Sequence, residues 1–265
     1  MTLGSTPQES TDFPAGMVWL VGAGPGDPEL LTRKAERLIR SATVVFHDAL
    51  VGPGVLALAG DARLVHVGKR AGRHSRDQAS IDRLLVEAAL AGERVVRLKG
   101  GDPSIFGRAA EELGACRSAG VAVAICPGIT AASAAAAGLG RSLTLRGTAR
   151  RLSLVTAHAR AGDRLELDWQ ALADPGSTTA FYMGKAAAGE IAENLIAAGL
   201  PGSTPVAAVQ NASLPDEQRI TTRLDLLAIA VKAFAGDGPA LVLVGAAVGP
   251  AGGNVRTARH DEVTA

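Results

Sequence analysis

Short apolar runs alternate with amphipathic segments along most of this chain. In the first half, the apolar runs are typical of buried strands; they are VWLV (18–21), TVVFH (43–47), RLVHV (63–67), RVVRL (94–98) and VAVAI (121–125). Residues 77–91 place Ile81, Leu85 and Ala88 on one helical face. This alternation of strands and helices predicts a mostly parallel sheet with helices packed on its faces.

A further helix is expected directly after the first strand. Asp27 is a typical N-cap residue, and Pro28 suits the first helical turn. The apolar stripe that follows is Leu30, Leu31, Ala35, Leu38 and Ile39. The spacing therefore predicts one helix over residues 28–39.

The pattern restarts at Leu152. Strands are expected at LSLVTAH, TTAFYM, PVAAV, RITTR and ALVLVG, with helices near Trp169 and over residues 186–198. Because no helical segment separates PVAAV from RITTR, we expect a mixed second sheet. The sequence thus predicts two α/β domains, residues 17–146 and 147–249, with a cleft between them and mobile tails at 1–16 and 250–265.

Composition narrows the class of protein. Among the 265 residues, no apolar run approaches the ~20 residues that a membrane span requires. The N-terminus lacks the pattern of a secretory signal, so we expect a soluble cytoplasmic protein without membrane contacts. Cys116 and Cys126 match no metal-binding or redox spacing, and buried free thiols are expected rather than a disulfide.

The net charge of +1 conceals two basic groups. Lys69, Arg70, Arg73 and Arg76 form the first, and Arg141, Arg146, Arg150 and Arg151 form the second. Both groups fit solvated surfaces, and both also fit a pocket for a polyanion, since guanidinium groups bind carboxylates through paired hydrogen bonds. Nucleic acid is a weaker candidate because only 3% of residues are aromatic, which leaves few side chains for stacking bases.

Glycine-rich or acidic loops follow several predicted strands. Gly22, Gly24 and Gly26 alternate, so the first loop lacks the G-x-G-x-x-G spacing of a dinucleotide site. Further loops of this kind are FHDALV, VHVGKRAG, RLKGGDPSIFGR, CPGITAAS and AFYMGK. Each fits an ordinary tight turn, but together they fall at the carboxyl edge of the strands, where open α/β sheets bind ligands.

These stretches resemble, in the same order, the tetrapyrrole methylase family. The resemblance runs from about Val18 to Gly249 and is strongest in RLKGGDPSIFGR followed by CPGITAAS. Within the family it points to the branch that C-methylates uroporphyrinogen III. It implies a fold of two α/β domains with S-adenosyl-L-methionine bound between them, and a homodimer.

By this resemblance, the cofactor pocket is expected to draw on several loops. Its residues are Pro25, Gly100, Gly101, Asp102, Ile105, Thr130, Ala131, Met183 and Ala212. Apolar side chains would hold the adenine, while backbone groups and Asp102 would meet the polar edges of the ligand. The family often has glycine at the position of Ala212.

The reaction implied is two successive methyl transfers to uroporphyrinogen III, which yield precorrin-2 and S-adenosyl-L-homocysteine and serve siroheme or cobalamin biosynthesis. The resemblance assigns Asp48 as the base that removes a proton from the methylated macrocycle and Lys69 as a proton-donating partner. A turn-stabilising aspartate and an exposed lysine are the alternative interpretations of these two residues.

A polycarboxylate substrate calls for fixed cations near the methyl donor. Arg108 and Glu111 lie one helical turn apart behind the glycine loop, and Arg146 lies in the link between the halves. We expect these three residues at the substrate. Glu111 either accepts a hydrogen bond from a pyrrole N–H or pairs with Arg108, and the pair is favoured.

The sequence departs from the family at Leu145, usually histidine, at Ala109 and Ala110, often glycine, and at His47, frequently tyrosine. Leu145, Ala109 and Ala110 bear on substrate identity and rate more than on cofactor use. Two alternatives within the same fold are a methyltransferase that acts on a later corrin intermediate and, more distantly, one that acts on an RNA ribose; the intact RLKGGDPSIFGR argues against both. A nicotinamide oxidoreductase lacks its fingerprint here. A non-catalytic tetrapyrrole carrier would keep the arginines without the cofactor loops. No dehydrogenase–chelatase module is expected within this sequence.

Overall fold

The first half of the chain forms a parallel sheet. The computed structural model describes residues 13–68, 77–158 and 164–250, and within them this sheet has five strands in the order β3-β2-β4-β1-β5. The strands are β1 (Met17–Gly22), β2 (Val44–His47), β3 (Arg63–His66), β4 (Val95–Lys99) and β5 (Ala122–Cys126). The five strands predicted from the apolar runs are thus confirmed.

The register aligns the carboxyl ends of the central strands. Gly22 of β1 lies beside Lys99 of β4, and His47 of β2 lies beside Leu98. Cys126 of β5 lies beside Val21. The loops that leave these strands therefore start at one edge of the sheet, where open α/β sheets bind ligands.

Helices cover both faces of this sheet. They are α1 (Arg33–Ser41), α2 (Pro53–Leu56), α3 (Gln78–Leu90), α4 (Ala109–Ser118) and α5 (Ala131–Leu139). Trp19 and Val21 of β1 pack in one cluster with α1, while Val18 and Leu20 pack in the other with α3 and α4. Because alternate residues meet different helices, the strand is apolar throughout.

The helix predicted over residues 28–39 is wrong as a single element. Asp27 does cap a turn, since its carboxylate accepts from the Glu29 N–H, but that turn is a 3-10 helix of three residues, Pro28–Leu30. The backbone is extended at Leu31, and α1 begins after Thr32, whose hydroxyl accepts from the Ala35 N–H. A second N-cap residue therefore divides the apolar stripe between two elements.

The second sheet has the order β6-β7-β10-β8-β9 among the described residues. Its strands are β6 (Arg151–Thr156), β7 (Ser177–Tyr182), β8 (Pro205–Gln210), β9 (Gln218–Arg223) and β10 (Ala240–Val244). β6 and β7 are parallel. Hydrogen bonds from Gly245 N to Pro205 O and from Asn211 N to Pro239 O join opposite ends of β8 and β10, so these strands are antiparallel and the sheet is mixed, as predicted.

The helices of the second half are α6 (Trp169–Leu172), α7 (Ala188–Ala197) and α8 (Leu227–Ala230). Phe181, Ile191 and Leu227 lie in its core. The helices expected near Trp169 and over residues 186–198 are confirmed as α6 and α7, whereas α8 has no counterpart among the predictions. Trp169 stacks on Phe181, with ring centroids 6.4 Å apart.

The chain divides into two compact units. The first holds the residues up to Gly140 together with Val209–Gln218 and Gly236–Leu241, and the second holds the remainder. The boundary expected between residues 146 and 147 remains a prediction. Within the described ranges, no helix combines the length and the apolar character needed to cross a bilayer.

Cys116 and Cys126 are both free and buried, as expected from the sequence. Burial, together with the nearby carboxylates of Glu112 and Asp82, raises the pKa of the Cys116 thiol to about 11. Burial also raises the pKa of the Cys126 thiol. Since the thiolate is the reactive form, both cysteines serve as packing residues.

Candidate active site

The glycine loops after β1 and β4 are hydrogen-bonded to each other. Gly24 N donates to Gly101 O at 3.2 Å, and Gly101 N donates to Gly24 O at 2.7 Å. Ala23 N adds a bond to Lys99 O. This short antiparallel bridge fixes the two loops at the carboxyl edge of the first sheet.

The loop after β5 approaches the same point so closely that side chains are excluded. A Cβ on Gly128 would lie 2.2 Å from Gly101 O, and a Cβ on Gly22 would lie 2.5 Å from Gly128 N. Glycine is required at both positions because the neighbouring atoms belong to the backbone. Gly101 differs, since a Cβ there would meet nothing nearer than 3.9 Å, although its φ of +68° disfavours a side chain.

Asp102 ties two of these loops together. One carboxylate oxygen accepts from Ser104 N at 2.7 Å, and the other accepts from Gly128 N at 3.0 Å. By the resemblance, Asp102 was expected to meet the polar edges of the ligand; in the structure its carboxylate accepts from two backbone N–H groups. A carboxylate has further lone-pair positions, so Asp102 retains the capacity to accept from a ligand.

Thr130 and Ala131 lie where α5 begins. The Thr130 hydroxyl accepts from Ser133 N at 3.1 Å and caps the helix, and Ala131 is its first residue. Ile105 is half-buried in the loop after β4, where its N–H donates to Asp102 O. These three predicted pocket residues thus belong to the same edge of the first unit.

The residues that directly follow Pro25 contact the residues that directly follow Ala212. Asp27 N donates to the Ser213 hydroxyl at 3.0 Å. A Cβ on Gly26 would lie 2.6 Å from the side chain of Leu214, which shows how closely the two loops pack. Although nearly 190 positions separate them in sequence, both belong to the first unit.

Non-glycine residues with left-handed backbone occur in two of the predicted loops, RLKGGDPSIFGR and AFYMGK, and on both sides of the predicted pocket residue Ala212. Their φ angles lie between 54° and 68°, and the residues are Phe106, Arg108, Met183, Asn211 and Ser213. Only a few per cent of non-glycine residues adopt this conformation, and such strain is concentrated at functional sites. Ser213 and Asn211 flank Ala212, while Phe106 and Arg108 follow Ile105.

Asp48 lies just beyond the end of β2. One carboxylate oxygen accepts from Leu50 N at 3.0 Å, and the other lies 3.6 Å from a guanidinium nitrogen of Arg97. A Cβ on Gly100 would lie 3.1 Å from Leu50, and a Cβ on Gly68 would lie 3.0 Å from the Asp48 Cα. Asp48 therefore adjoins the loops after β3 and β4.

A buried charge cluster, which the sequence analysis did not identify, lies behind Asp48. Arg97 Nε donates to Glu112 Oε1 at 3.0 Å, and Lys99 Nζ donates to both Glu112 oxygens at 2.8 and 2.7 Å. The Glu112 side chain is fully buried, and those of Arg97 and Lys99 are 6% exposed. Burial and the neighbouring Arg97 lower the pKa of Lys99, while Glu112 opposes that shift.

Arg108 and Glu111 form an exposed bidentate ion pair. Arg108 Nε and Nη2 donate to the two Glu111 oxygens at 2.7 and 2.6 Å. The hydrogen bond from Arg108 lowers the pKa of Glu111. The pairing favoured from the sequence is therefore present, and a role for either residue at the substrate remains a prediction.

For Met183 and Arg146, the structure gives the exposure and the unit to which each belongs. Met183 follows β7 in the second unit and is 48% exposed, and Arg146 is exposed in the same unit. Their approach to the residues of the first unit remains a prediction. Lys69 lies outside the described residues.

Among the described residues, no cluster of acidic, histidine or cysteine side chains could hold a metal ion.

Comparison with known proteins places this architecture in one family. The model of the Tetrapyrrole (Corrin/Porphyrin) Methylases matches residues 17–228. The uroporphyrinogen-III C-methyltransferase of Paracoccus denitrificans is 49% identical over 231 residues, which are 87% of this chain and 80% of the relative. A siroheme synthase of Gluconacetobacter diazotrophicus is 46% identical over 88% of the chain, which spans 50% of that longer protein.

Solved structures agree with this placement. A uroporphyrin-III C-methyl transferase from Thermus thermophilus, complexed with S-adenosylhomocysteine, has a TM-score of 0.74 and 40% identity, covering 88% of this chain and 98% of the other. A cobalt precorrin-4 methyltransferase has a TM-score of 0.79 and 29% identity, covering 89% and 97%. The chain belongs to the tetrapyrrole (corrin/porphyrin) methylase family.

Proposed function

We propose that this protein is an S-adenosyl-L-methionine-dependent C-methyltransferase that converts uroporphyrinogen III to precorrin-2 by two successive methylations. The observation that carries the proposal is the meeting of the loops after β1, β4 and β5 at Gly22, Gly101 and Gly128. A relative that is 49% identical over 87% of this chain is named for this activity. The siroheme synthases are about twice as long, so their other activities are not part of the proposal.

The loop residues fit a bent ligand with an adenine at one end and a charged amino acid at the other. At Gly101, an added Cβ would lie 3.9 Å from Ile129 O and from Ala131 N, which is ordinary van der Waals distance. Backbone groups therefore border this position, and apolar side chains such as Ile105 and Ala131 lie nearby in sequence and structure. Pro25, Gly100, Thr130, Ala212 and Met183 are the further residues that we assign to the cofactor.

When bound, S-adenosyl-L-methionine supplies an electrophilic methyl group. The task of the chain is then to align a pyrrole carbon of the substrate with that group and to take up the proton that the methylated carbon framework releases. Asp48, held by Leu50 N and facing Arg97, is the proposed base. Lys69 is the proposed proton donor.

Arg108, Glu111 and Arg146 are proposed to bind the substrate. The Arg108–Glu111 pair is exposed, so a substrate carboxylate can compete with Glu111 for the guanidinium. The proposal extends to the tetrapyrrole routes that lead to siroheme or cobalamin. It also extends to a location in the cytoplasm and to a homodimer. Sedimentation analysis of the purified protein would test the homodimer.

The first test is methyl transfer to uroporphyrinogen III generated under anaerobic conditions. We expect a product that carries two added methyl groups by mass spectrometry, and calorimetric binding of S-adenosyl-L-homocysteine but not of NADH. Binding without methylation of uroporphyrinogen III, together with turnover of a later corrin, would instead support the second candidate. The high TM-score of the cobalt precorrin-4 methyltransferase is the observation that favours that candidate.

Gly128→Ala tests whether the loop contact builds the cofactor pocket. The new methyl would lie 2.2 Å from Gly101 O, so one of the two loops must move. We expect S-adenosyl-L-homocysteine affinity, measured by calorimetry, to fall at least about tenfold, or ~1.4 kcal/mol.

Gly114→Ala is the matched control, because no heavy atom lies within 4 Å of its added Cβ on the exposed side of α4. It should bind the ligand like the parent and be at least as stable, since alanine favours helix. Parental affinity in Gly128→Ala would remove the loop after β5 from the pocket.

A further inference from the structure

The guanidinium of Arg97 contacts three different groups. Nε donates to the Glu112 carboxylate at 3.0 Å, Nη1 donates to Leu98 O at 2.6 Å, and Nη2 lies 3.6 Å from Asp48 Oδ2. Because a guanidinium is planar and rigid, fixing two of its nitrogens fixes the direction of the third. The nitrogen so fixed is the one that faces Asp48.

Glu112 is itself held in place. Both of its oxygens accept from Lys99 Nζ, and its side chain is fully buried between α4 and β4. The turn before α4 closes over Lys99, since a Cβ on Gly107 would lie 3.1 Å from the Lys99 side chain and 2.5 Å from Pro103 O. Glu112, which anchors Arg97, is therefore held by Lys99, and Lys99 is held in turn by the loop that covers it.

The charges of this cluster balance, with Arg97 and Lys99 facing Glu112 and Asp48. Buried ion pairs add little stability compared with apolar residues of similar size, so stability alone does not explain two cations on an otherwise apolar strand. Of the four side chains, Asp48 is the most exposed, at 23%. The cluster thus runs from a buried anion to a carboxylate that solvent or substrate can reach.

We propose that Arg97 is a positioning residue for Asp48, through which the buried Glu112–Lys99 pair fixes the orientation of the catalytic carboxylate. The inference rests on the proposed function in taking Asp48 as the base. Because its side chain is only 6% exposed, Arg97 acts through Asp48 rather than on the substrate. It keeps the Asp48 carboxylate at one angle, so that an oxygen points at the carbon that loses its proton.

The experiment is a double-mutant cycle of Arg97→Met and Asp48→Asn, with kcat, KM and S-adenosyl-L-homocysteine affinity measured for each variant. We expect Arg97→Met to lower kcat about 10- to 100-fold, as misplacement of a catalytic group by about 1 Å does, with KM and ligand affinity near the parental values. In the Asp48→Asn background the same change should alter kcat by less than about twofold, because Arg97 then has no base to position.

Equal losses of kcat in both backgrounds would overturn the proposal, since a purely structural role does not depend on Asp48. Arg63→Met is the matched control, because Arg63 on β3 also pairs with a carboxylate, at 2.8 Å, but is 57% exposed. It should retain parental kcat. If Arg97→Met does not fold, Arg97→Lys serves in its place. The lysine ammonium keeps a positive charge beside Glu112, but it lacks the planar guanidinium that holds Asp48 and Glu112 at fixed angles. Full kcat in Arg97→Lys would overturn the proposal as well.

Failure of the proposed function is recognised separately, because it would appear as an inactive parent. A crystal structure of Arg97→Met then decides the inference without turnover. We expect the Asp48 carboxylate to leave its present rotamer or to occupy several. An Asp48 side chain that keeps its single orientation against Leu50 N would show that Arg97 does not position it.

Discussion

Asp48→Asn is expected to lower kcat by about 10²–10⁴-fold, the usual effect of removing a general base. Asparagine keeps the size of the side chain, and its amide oxygen can still accept from Leu50 N, as Asp48 does at 3.0 Å. It cannot take up a proton. S-adenosyl-L-homocysteine affinity and substrate KM should therefore change little, and single-turnover kinetics should place the loss in the chemical step.

Asp61→Asn provides the control for this substitution. Asp61 is an exposed aspartate that precedes β3, so it lies at the opposite end of the strands from Asp48. It should leave kcat at the parental value. If Asp48→Asn turned over within a few-fold of the parent, Asp48 would be a turn residue, and the proton would leave through water or another side chain.

The central strands β1, β2 and β4 were predictable because they are buried on both faces. A continuous apolar run of that kind has few interpretations once glycine loops follow it. Helix α3 was equally clear, since its apolar face is regular and Asp77 caps it by accepting from Ser80 N. Local sequence and tertiary packing favour the same structure in these elements.

The errors occur where the local signals compete or are too short. Thr32 and Asp27 are both good N-cap residues, and periodicity alone does not decide that the backbone breaks between them. Helices α2 and α8 have four residues each, which is about one turn, so no repeat of apolar positions can develop. Val55 of α2 and Leu227 of α8 are buried in the two cores, so tertiary packing rather than a repeating local pattern accounts for these helices.

For the candidate site, the loops were predictable but their connections were not. Glycines after strands indicated close backbone approach, which the contact between Gly128 and Gly101 illustrates. The bond from Gly128 N to Asp102 joins residues 26 positions apart, so it depends on β5 lying beside β1. No spacing rule for a single loop contains that information.

The buried charge cluster did leave a signal in the sequence. Arg97 and Lys99 stand at alternate positions of an apolar strand and so face the same side of the sheet. Two cations on a strand buried on both faces require an anion, and the acidic pair in α4 offers one.

Among the positions where the sequence departs from the family, Ala109 is buried in the core, so its effect is on packing rather than directly on the substrate.

The largest expected loss of stability follows from removing that anion. Glu112→Gln would leave Arg97 and Lys99 buried beside a neutral amide, and breaking a buried ion pair typically costs about 3–5 kcal/mol. This is a large part of the ~5–15 kcal/mol that stabilises a typical protein. Urea unfolding should be followed by the fluorescence of Trp19 in a Trp169→Phe background, because Trp19 lies on β1 of the first unit and the chain has two tryptophans.

Glu111→Gln is the matched control, since it removes the neighbouring carboxylate, which is exposed and pairs with Arg108 on the surface. Its unfolding midpoint should stay close to that of the parent because exposed ion pairs contribute little. The midpoint of Glu112→Gln should fall well below both. Equal midpoints in the two variants would mean that Arg97 and Lys99 find other acceptors when Glu112 is lost, and Glu112 could then no longer be regarded as the anchor of the cluster.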